Sequence, residues 1–238
     1  MNGRGADPDM VGLPIIRAPR VYPPQADTWL LRRALCALPS ARGLRVLDAF
    51  AGTGALTLAA AANGARTVTA IDRSRPALLS TWANCRLRGI SVELIHGDFT
   101  TALGLPRFDL VLANPPYVPA ARDGRGAGLA WDAGQDGRRI LDRLCAVLPS
   151  LLTPQGMALI VHSTISDPHQ TLNSLRDNGV HAHVVAKQTI PFGPVMRSRV
   201  GWLAAQGHVA PGQRHEELVV IRVDNARVPA ARMPASRR

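Results

Sequence analysis

Cysteine is scarce in this chain: Cys36, Cys85 and Cys145 are the only three among 238 residues. Their number is odd, their spacing is wide and no Cys-x-x-Cys pair exists, which leaves a zinc site or a disulfide framework without support. Each falls in a stretch of helical periodicity, where cysteine acts as a small buried apolar residue in a reducing compartment. Aromatic residues make up only 4% of the chain, so the core must be built from Leu, Val, Ile and Ala. Lysine is almost missing: Lys187 stands alone, and the other 27 of the 28 basic residues are arginine. No apolar run approaches the ~20 residues of a membrane span. The stretch from Met1 to Asp9 is polar, unlike a signal peptide. The expectation is a soluble cytoplasmic protein with no membrane contact. A Walker-type Gly-Lys-Ser/Thr is absent, which argues against ATP hydrolysis.

What is present is 46% hydrophobic residues and a net charge of +11. The first suits one sizeable core. The second invites nucleic-acid contact. However, the arginines are scattered and accompany abundant Ala, Gly and Pro, a pattern that coding bias in a GC-rich genome also produces.

Five prolines fall by Pro24, so residues 1–22 read as an extended arm. Residues 23–225 read as a single domain and 226–238 as a basic flexible tail. Thr28 is placed to cap a helix carrying Leu31, Ala34, Leu35 and Leu38. Apolar strands are expected at 45–50, 67–71, 92–95, 108–113, 157–162, 180–189 and 218–223. Helices are expected at 55–63, 74–88, 140–151 and 168–178. Strands alternating with helices give an α/β, doubly wound, mostly parallel sheet with helices on both faces. Ligands bind such sheets at the C-terminal strand ends, near the switch point. Asp48, Asp72, Asp98 and Asn114 all end predicted strands there.

Gly52-Thr53-Gly54 is a fragment of a nucleotide-binding loop, but Thr57 stands where a dinucleotide pattern needs glycine. Asp48 lies just before the loop and would repel a pyrophosphate on the following helix. S-adenosyl-L-methionine has no phosphate and carries an ammonium and a sulfonium, which an acid favours. Asp72 is placed for the ribose hydroxyls. Asp98 is placed for the adenine amino group, with Phe99 against the ring.

Asn114-Pro115-Pro116-Tyr117 is the most informative tetrapeptide. Its prolines stiffen the backbone and remove donors. The Asn114 side-chain oxygen and the Pro115 carbonyl remain as acceptors that can grip an –NH2 group and stabilise charge as a bond to nitrogen forms. Tyr117 offers a flat face to a planar acceptor. These residues suit a methyltransferase acting on a planar nitrogen: a protein glutamine, an adenine N6 of RNA or DNA, or a small molecule.

The chain resembles the HemK/PrmC family of protein-glutamine N5-methyltransferases. The segments carrying the resemblance are Val46–Gly54, Ala70-Ile-Asp72, Phe108–Val118 and Asp136–Asp142 leading to Leu151–Gly156. The front segment Val21–Leu31 and Ala130–Gly137 look like its short branch, which lacks an N-terminal helical domain. The resemblance implies a class I, Rossmann-like methyltransferase fold. It implies a cofactor set of Thr28, Asp48, Ala49, Gly52, Gly54, Asp72, Asp98, Phe99 and Asn114. The substrate set is Asn114, Pro115, Pro116, Tyr117 and Trp131, with Asn114, Pro115 and Tyr117 catalytic and no metal. The family's acceptor is the glutamine of the Gly-Gly-Gln motif in translation release factors, and its short branch often works with a small activating partner subunit. Residues 191–216, with Phe192, Met196, Arg197, Arg199, Trp202 and Arg214, are expected to overhang the acceptor site as loop. Residues 120–134, ending near Trp131, are expected to form its other wall.

Overall fold

The computed structural model describes residues 14–121 and 131–225. Residues 1–13 of the expected arm, 122–130 of the Gly-rich stretch and the expected tail, 226–238, lie outside the described residues. A seven-stranded sheet runs in the order β3-β2-β1-β4-β5-β7-β6. Its strands are β1 (Arg45–Asp48), β2 (Thr67–Asp72), β3 (Glu93–His96), β4 (Phe108–Ala113), β5 (Leu152–Ser163), β6 (His181–Pro191) and β7 (His215–Asp224). The strands from β3 to β5 pair in parallel. β7 runs antiparallel to both its neighbours. The strand order reverses between β1 and β4, and that junction is the switch point where such sheets open to ligands.

β4 is apolar throughout because both its faces are covered. Leu110 and Leu112 join one core with Leu31 and Leu35 of α1 (Ala26–Cys36) and Leu56 of α2 (Ala55–Ala62). Val111 and Ala113 join the other core, with Leu141, Leu144 and Leu148 of α4 (Arg139–Leu151) and Leu175 of α5 (Pro168–Asp177). The period-two side-chain alternation of a strand thus divides β4 between two helix layers. α3 (Arg75–Arg86) begins at Ser74, whose hydroxyl accepts from the Ala77 N–H, with proline in its first turn. That is the ordinary way to satisfy orphan donors at a helix start.

Several details depart from expectation. Thr28 is not a cap: it lies inside the first turn of α1, and Gln25 is the flanking residue. β5 starts at Leu152 rather than Met157, because Leu152 pairs with Phe108 before a register shift absorbs Thr153–Gly156. Residues Phe99–Gly104 form a 3-10 helix. Residues 194–205, expected as loop, form the helix α6 (Pro194–Ala205). Met196 and Leu203 of α6 bury with Phe192 and Val209 against Val118 and Ile165. Cys85 and Cys145 are buried, whereas Cys36 is exposed at the end of α1. Among the described residues no helix is long and apolar enough to cross a membrane.

Candidate active site

A cavity of about 500 Å³ opens at the C-terminal ends of β1, β2, β3 and β4. Thr28, Ala49, Gly52, Asp72, Asp98, Phe99, Asn114 and Pro116 line it. Eight of the expected site residues therefore meet in one place, brought there by four strand ends and the first turn of α1. Asp48, Gly54, Pro115, Tyr117 and Trp131 are not on its wall.

Asp48 is fully buried at the end of β1. Its Oδ2 accepts from the Thr57 hydroxyl at 2.7 Å, while Oδ1 is buried without a hydrogen-bond partner. Burial raises its pKa to about 6, against the lowering effect of the Thr57 hydroxyl and with a further rise from the nearby Asp72 charge. A buried carboxylate with a free oxygen calls for a cationic or donor group.

Asp72 accepts from the Gly52 N–H through Oδ2 and from the Ser74 N–H through Oδ1, each at 2.8 Å. Burial raises its pKa, although the Ser74 and Gly52 amides pull the other way. The loop after β1 is thereby tied to the end of β2, which fixes both walls of the cavity. Gly54 supports this at a distance: its φ is +81°, and a Cβ there would lie 2.9 Å from Thr81 Cγ2. Any side chain would push α2 off α3.

Asp98 caps the 3-10 helix by accepting from the Thr100 N–H at 2.9 Å. Burial acts to raise its pKa, but the Thr100 groups and Arg143 outweigh it and the net direction is down. Phe99 is buried, with its ring centroid 5.4 Å from that of Phe50 and the Arg143 guanidinium also 5.4 Å away. Arg20, Arg73 and Arg75 border the cavity too, so its wall is not uniformly acidic. Behind that wall, among the described residues, the Asp48 carboxylate is buried without a full set of partners. That group, with the Asp72 and Asp98 carboxylates and an apolar shelf from Ala49, Phe50 and Phe99, fits an adenosyl ligand bearing positive charge.

The Asn-Pro-Pro-Tyr segment follows β4. Asn114 lines the cavity and its Nδ2 donates to Thr28 Oγ1 at 3.2 Å. Pro115 is buried and Pro116 reaches the cavity wall. Tyr117, expected to face the acceptor, is half-buried and is not part of the cavity wall. Its hydroxyl donates to Asp27 Oδ2 at 3.1 Å, and its ring packs against both main cores. Burial and the Asp27 charge push its pKa well above the ordinary tyrosine value. Trp131 meets this segment through its backbone: its carbonyl accepts from the Val118 N–H at 2.8 Å. Gly137, at φ +73°, lets the chain pass the Tyr117 carbonyl where a Cβ would collide.

α6 lies at the same sheet edge, packed on Val118, but it does not line the cavity. Arg199 donates to the Pro119 carbonyl at 3.1 Å and stands 2.6 Å from Asp132. Arg197 donates to the Phe192 carbonyl at 2.9 Å. Arg197 and Arg199, expected to meet substrate, are engaged in holding the chain, whereas Arg214 is exposed.

Sequence reasoning missed two parts of the site. The arm lies on α3: the Ile16 N–H donates to Asn84 Oδ1 at 2.8 Å, and the Ala18 N–H to Ser80 Oγ at 3.0 Å. This brings Pro19, Arg20, Val21, Tyr22 and Pro24 to the cavity. Asp27, buried in α1, receives the Tyr22 hydroxyl at 2.9 Å. Its position directly before Thr28 was the one available signal.

The methyltransferase small domain family model matches residues 28–190. A Methanocaldococcus jannaschii protein named as a protein N5-glutamine methyltransferase is 30% identical over 79% of this chain and 95% of its own length. The release factor glutamine methyltransferase of Deinococcus radiodurans is 37% identical over 59% of this chain, but over only 54% of its own length. Among solved structures, that of the E. cuniculi Mtq2–Trm112 complex, described as methylating the eRF1 translation termination factor, matches with a TM-score of 0.60. The identity is 22%, covering 86% of this chain and 98% of that one, and the likeness is one of fold. With the strand order, the cavity and Asn-Pro-Pro-Tyr at its edge, these matches show that the chain is an S-adenosylmethionine-dependent methyltransferase and belongs to the HemK/PrmC family of protein-glutamine N5-methyltransferases.

Proposed function

We propose that this enzyme methylates the side-chain amide nitrogen of a glutamine in a protein, a translation release factor being the substrate that its relatives' names point to. The observation that carries the reading is the placement of Asn114. Its side chain lines the cavity, and its amide nitrogen is already bonded to Thr28. The Asn114 oxygen is then the atom available to accept a hydrogen bond from an acceptor –NH2. An acceptor placed there draws the nitrogen lone pair toward the cavity and stabilises charge developing on nitrogen. Orientation does more here than a strong base, because the transfer needs the nitrogen held in line.

When bound, S-adenosylmethionine would supply an electrophilic methyl group, whose bond to sulfur breaks as the bond to nitrogen forms, with one proton leaving that nitrogen for solvent. The chain's own residues do the rest. Asp72 would take the ribose hydroxyls, Asp98 and Phe99 would hold the adenine, and the Asp48 carboxylate would favour the cofactor's positive charge. Pro115 and Pro116 keep Asn114 rigid.

The test is labelled S-adenosylmethionine with a purified release factor, followed by peptide mass spectrometry. Label on the glutamine of the Gly-Gly-Gln motif, lost when that glutamine is replaced by alanine, is the expected result. Label on RNA or DNA instead would assign the adenine alternative. The reading extends to a small partner subunit, as the short branch often has. Full single-turnover speed from the isolated chain would remove that part alone.

A further inference from the structure

Asp27 sits 3% exposed in the first turn of α1 and is reached by hydrogen bonds from three directions. The Tyr22 hydroxyl of the arm donates to Oδ2 at 2.9 Å, and the Tyr117 hydroxyl donates to the same oxygen at 3.1 Å. The Thr28 hydroxyl donates to Oδ1 at 3.2 Å, and the Thr28 N–H to Oδ1 at 2.6 Å. An ionised carboxylate only accepts, so it sets the direction of every bond that meets it. The Thr28 hydroxyl has one proton. With that proton on Asp27, only its lone pairs remain for Asn114, so Thr28 must accept there. What it accepts is the Asn114 Nδ2–H, at 3.2 Å. The Asn114 amide is thereby fixed with nitrogen toward Thr28 and oxygen turned away from it.

Both ends of the Asn-Pro-Pro-Tyr segment thus terminate on a single carboxylate: Asn114 through Thr28, and Tyr117 directly. We infer that Asp27 is a positioning residue for methyl transfer, orienting the Asn114 amide through Thr28 and locking Tyr117, so that the acceptor meets an oxygen and not an –NH2. This rests on the reading that Asn114 grips the acceptor. Asp27 is not on the cavity wall, so it acts through other residues. Glu216 is a second buried carboxylate in this corner. Burial raises its pKa, the Ser163 hydroxyl bond opposes this, and the Asp27 charge adds to the rise. Asp27, unlike Glu216, is met by four donors in this corner.

Replacing oxygen by –NH2 at this position breaks the logic without changing the shape. In Asp27→Asn one arm becomes a donor, so either Thr28 or the tyrosine pair meets a donor head-on. In Thr28→Val the shape is kept and the relay hydroxyl removed; Thr28→Ser restores the hydroxyl. Single-turnover methylation of the release factor at saturating S-adenosylmethionine should slow roughly 10- to 100-fold in Asp27→Asn and in Thr28→Val. Thr28→Ser should recover most of the loss. The Kd of Asp27→Asn for S-adenosylmethionine, read by calorimetry, should move less than about threefold, since its side chain makes no cavity contact.

A second readout needs no acceptor at all. The 15N side-chain amide signal of Asn114, assigned by its loss in Asn114→Ala, should show one exchange-protected proton in the wild type. That protection should vanish in Asp27→Asn and Thr28→Val and return in Thr28→Ser. If the wild type leaves the release factor unmethylated, the substrate reading has failed, and the amide signal alone decides the positioning role. Unchanged protection in Asp27→Asn overturns the inference. So does a rate loss in that variant that excess S-adenosylmethionine repairs, or a Thr28→Ser enzyme as slow as Thr28→Val.

Discussion

Replacing Asp48 by asparagine gives the sharpest test of how the cavity is built. The carboxyl is fully buried, with one oxygen on the Thr57 hydroxyl and the other unpartnered. Its pKa rises from 3.8 in the unfolded chain to about 6 in the folded protein, chiefly through burial. A raised carboxyl pKa means that the folded state holds its proton more tightly. The associated stability is fully present at low pH and is lost as pH climbs through the folded value. At about 1.4 kcal/mol per unit, the shift corresponds to about 3 kcal/mol of folding free energy forfeited between pH ~3 and ~7. Asparagine keeps the shape and never ionises. It leaves an amide donor unsatisfied, at a cost of about 1–3 kcal/mol, but that cost does not vary with pH. The stability of Asp48→Asn relative to wild type should therefore climb by about 3 kcal/mol across that range. Urea denaturation of both proteins at a series of pH values measures it, and the difference between the curves cancels the other titrating groups to first order. Saturating S-adenosylmethionine should flatten the wild-type loss, because a cationic ligand favours the ionised form, and should do less for the variant. Parallel stability curves would refute the assignment of Asp48 as a carboxyl held out of its ordinary range by the site.

Three further outcomes follow from the same geometry. Asp72→Ala should weaken S-adenosylmethionine binding by about 1.5–3 kcal/mol in calorimetric titration; because Asp72 also holds the Gly52 N–H, a modest fall in melting temperature should accompany it. Asn114→Ala should fold and bind S-adenosylmethionine but lose about 10²- to 10³-fold in single-turnover rate. Burial pushes the Cys85 and Cys145 thiols up to about 11 while Cys36 is exposed, so brief alkylation at neutral pH should label Cys36 alone by peptide mapping.

Those features that residue pattern could reveal are of a particular kind. The strands were visible as apolar runs, and the acids and amide at their ends marked the site because a parallel sheet offers its ligands only that edge. Asp48, Asp72 and Asn114 needed no knowledge of the tertiary fold to be singled out. Asp27 did, because its donors, Tyr22 and Tyr117, are remote from each other in sequence and meet only when the arm and the segment after β4 converge. The arm itself carried no periodic signal, since an extended chain pinned by Asn84 and Ser80 has no face to bury. α6 was hidden by Pro-Phe-Gly-Pro at its start, which reads as turn chemistry although Pro194 in fact occupies a first-turn position that proline suits well.

The arginine excess takes on a different meaning once the partners are known. Arg138 is 2% exposed, and it reaches the carbonyls of Ser166 and Asp167, the Thr171 hydroxyl and the Asp142 carboxylate. Arg222 grips Asp224 through two nitrogens, and Arg199 joins α6 to Pro119 and the buried Asp132. A planar fork of donors that never loses its charge is suited to this work in a way that lysine is not. These three guanidiniums are committed to carbonyls and carboxylates within the fold. Pro119 and Asp132 flank the residues that follow Tyr117, and Val118 is bonded across to Trp131 and Ala133. Arg199 therefore holds from outside the same segment that Asp27 holds from within, leaving Asn114 little freedom to turn.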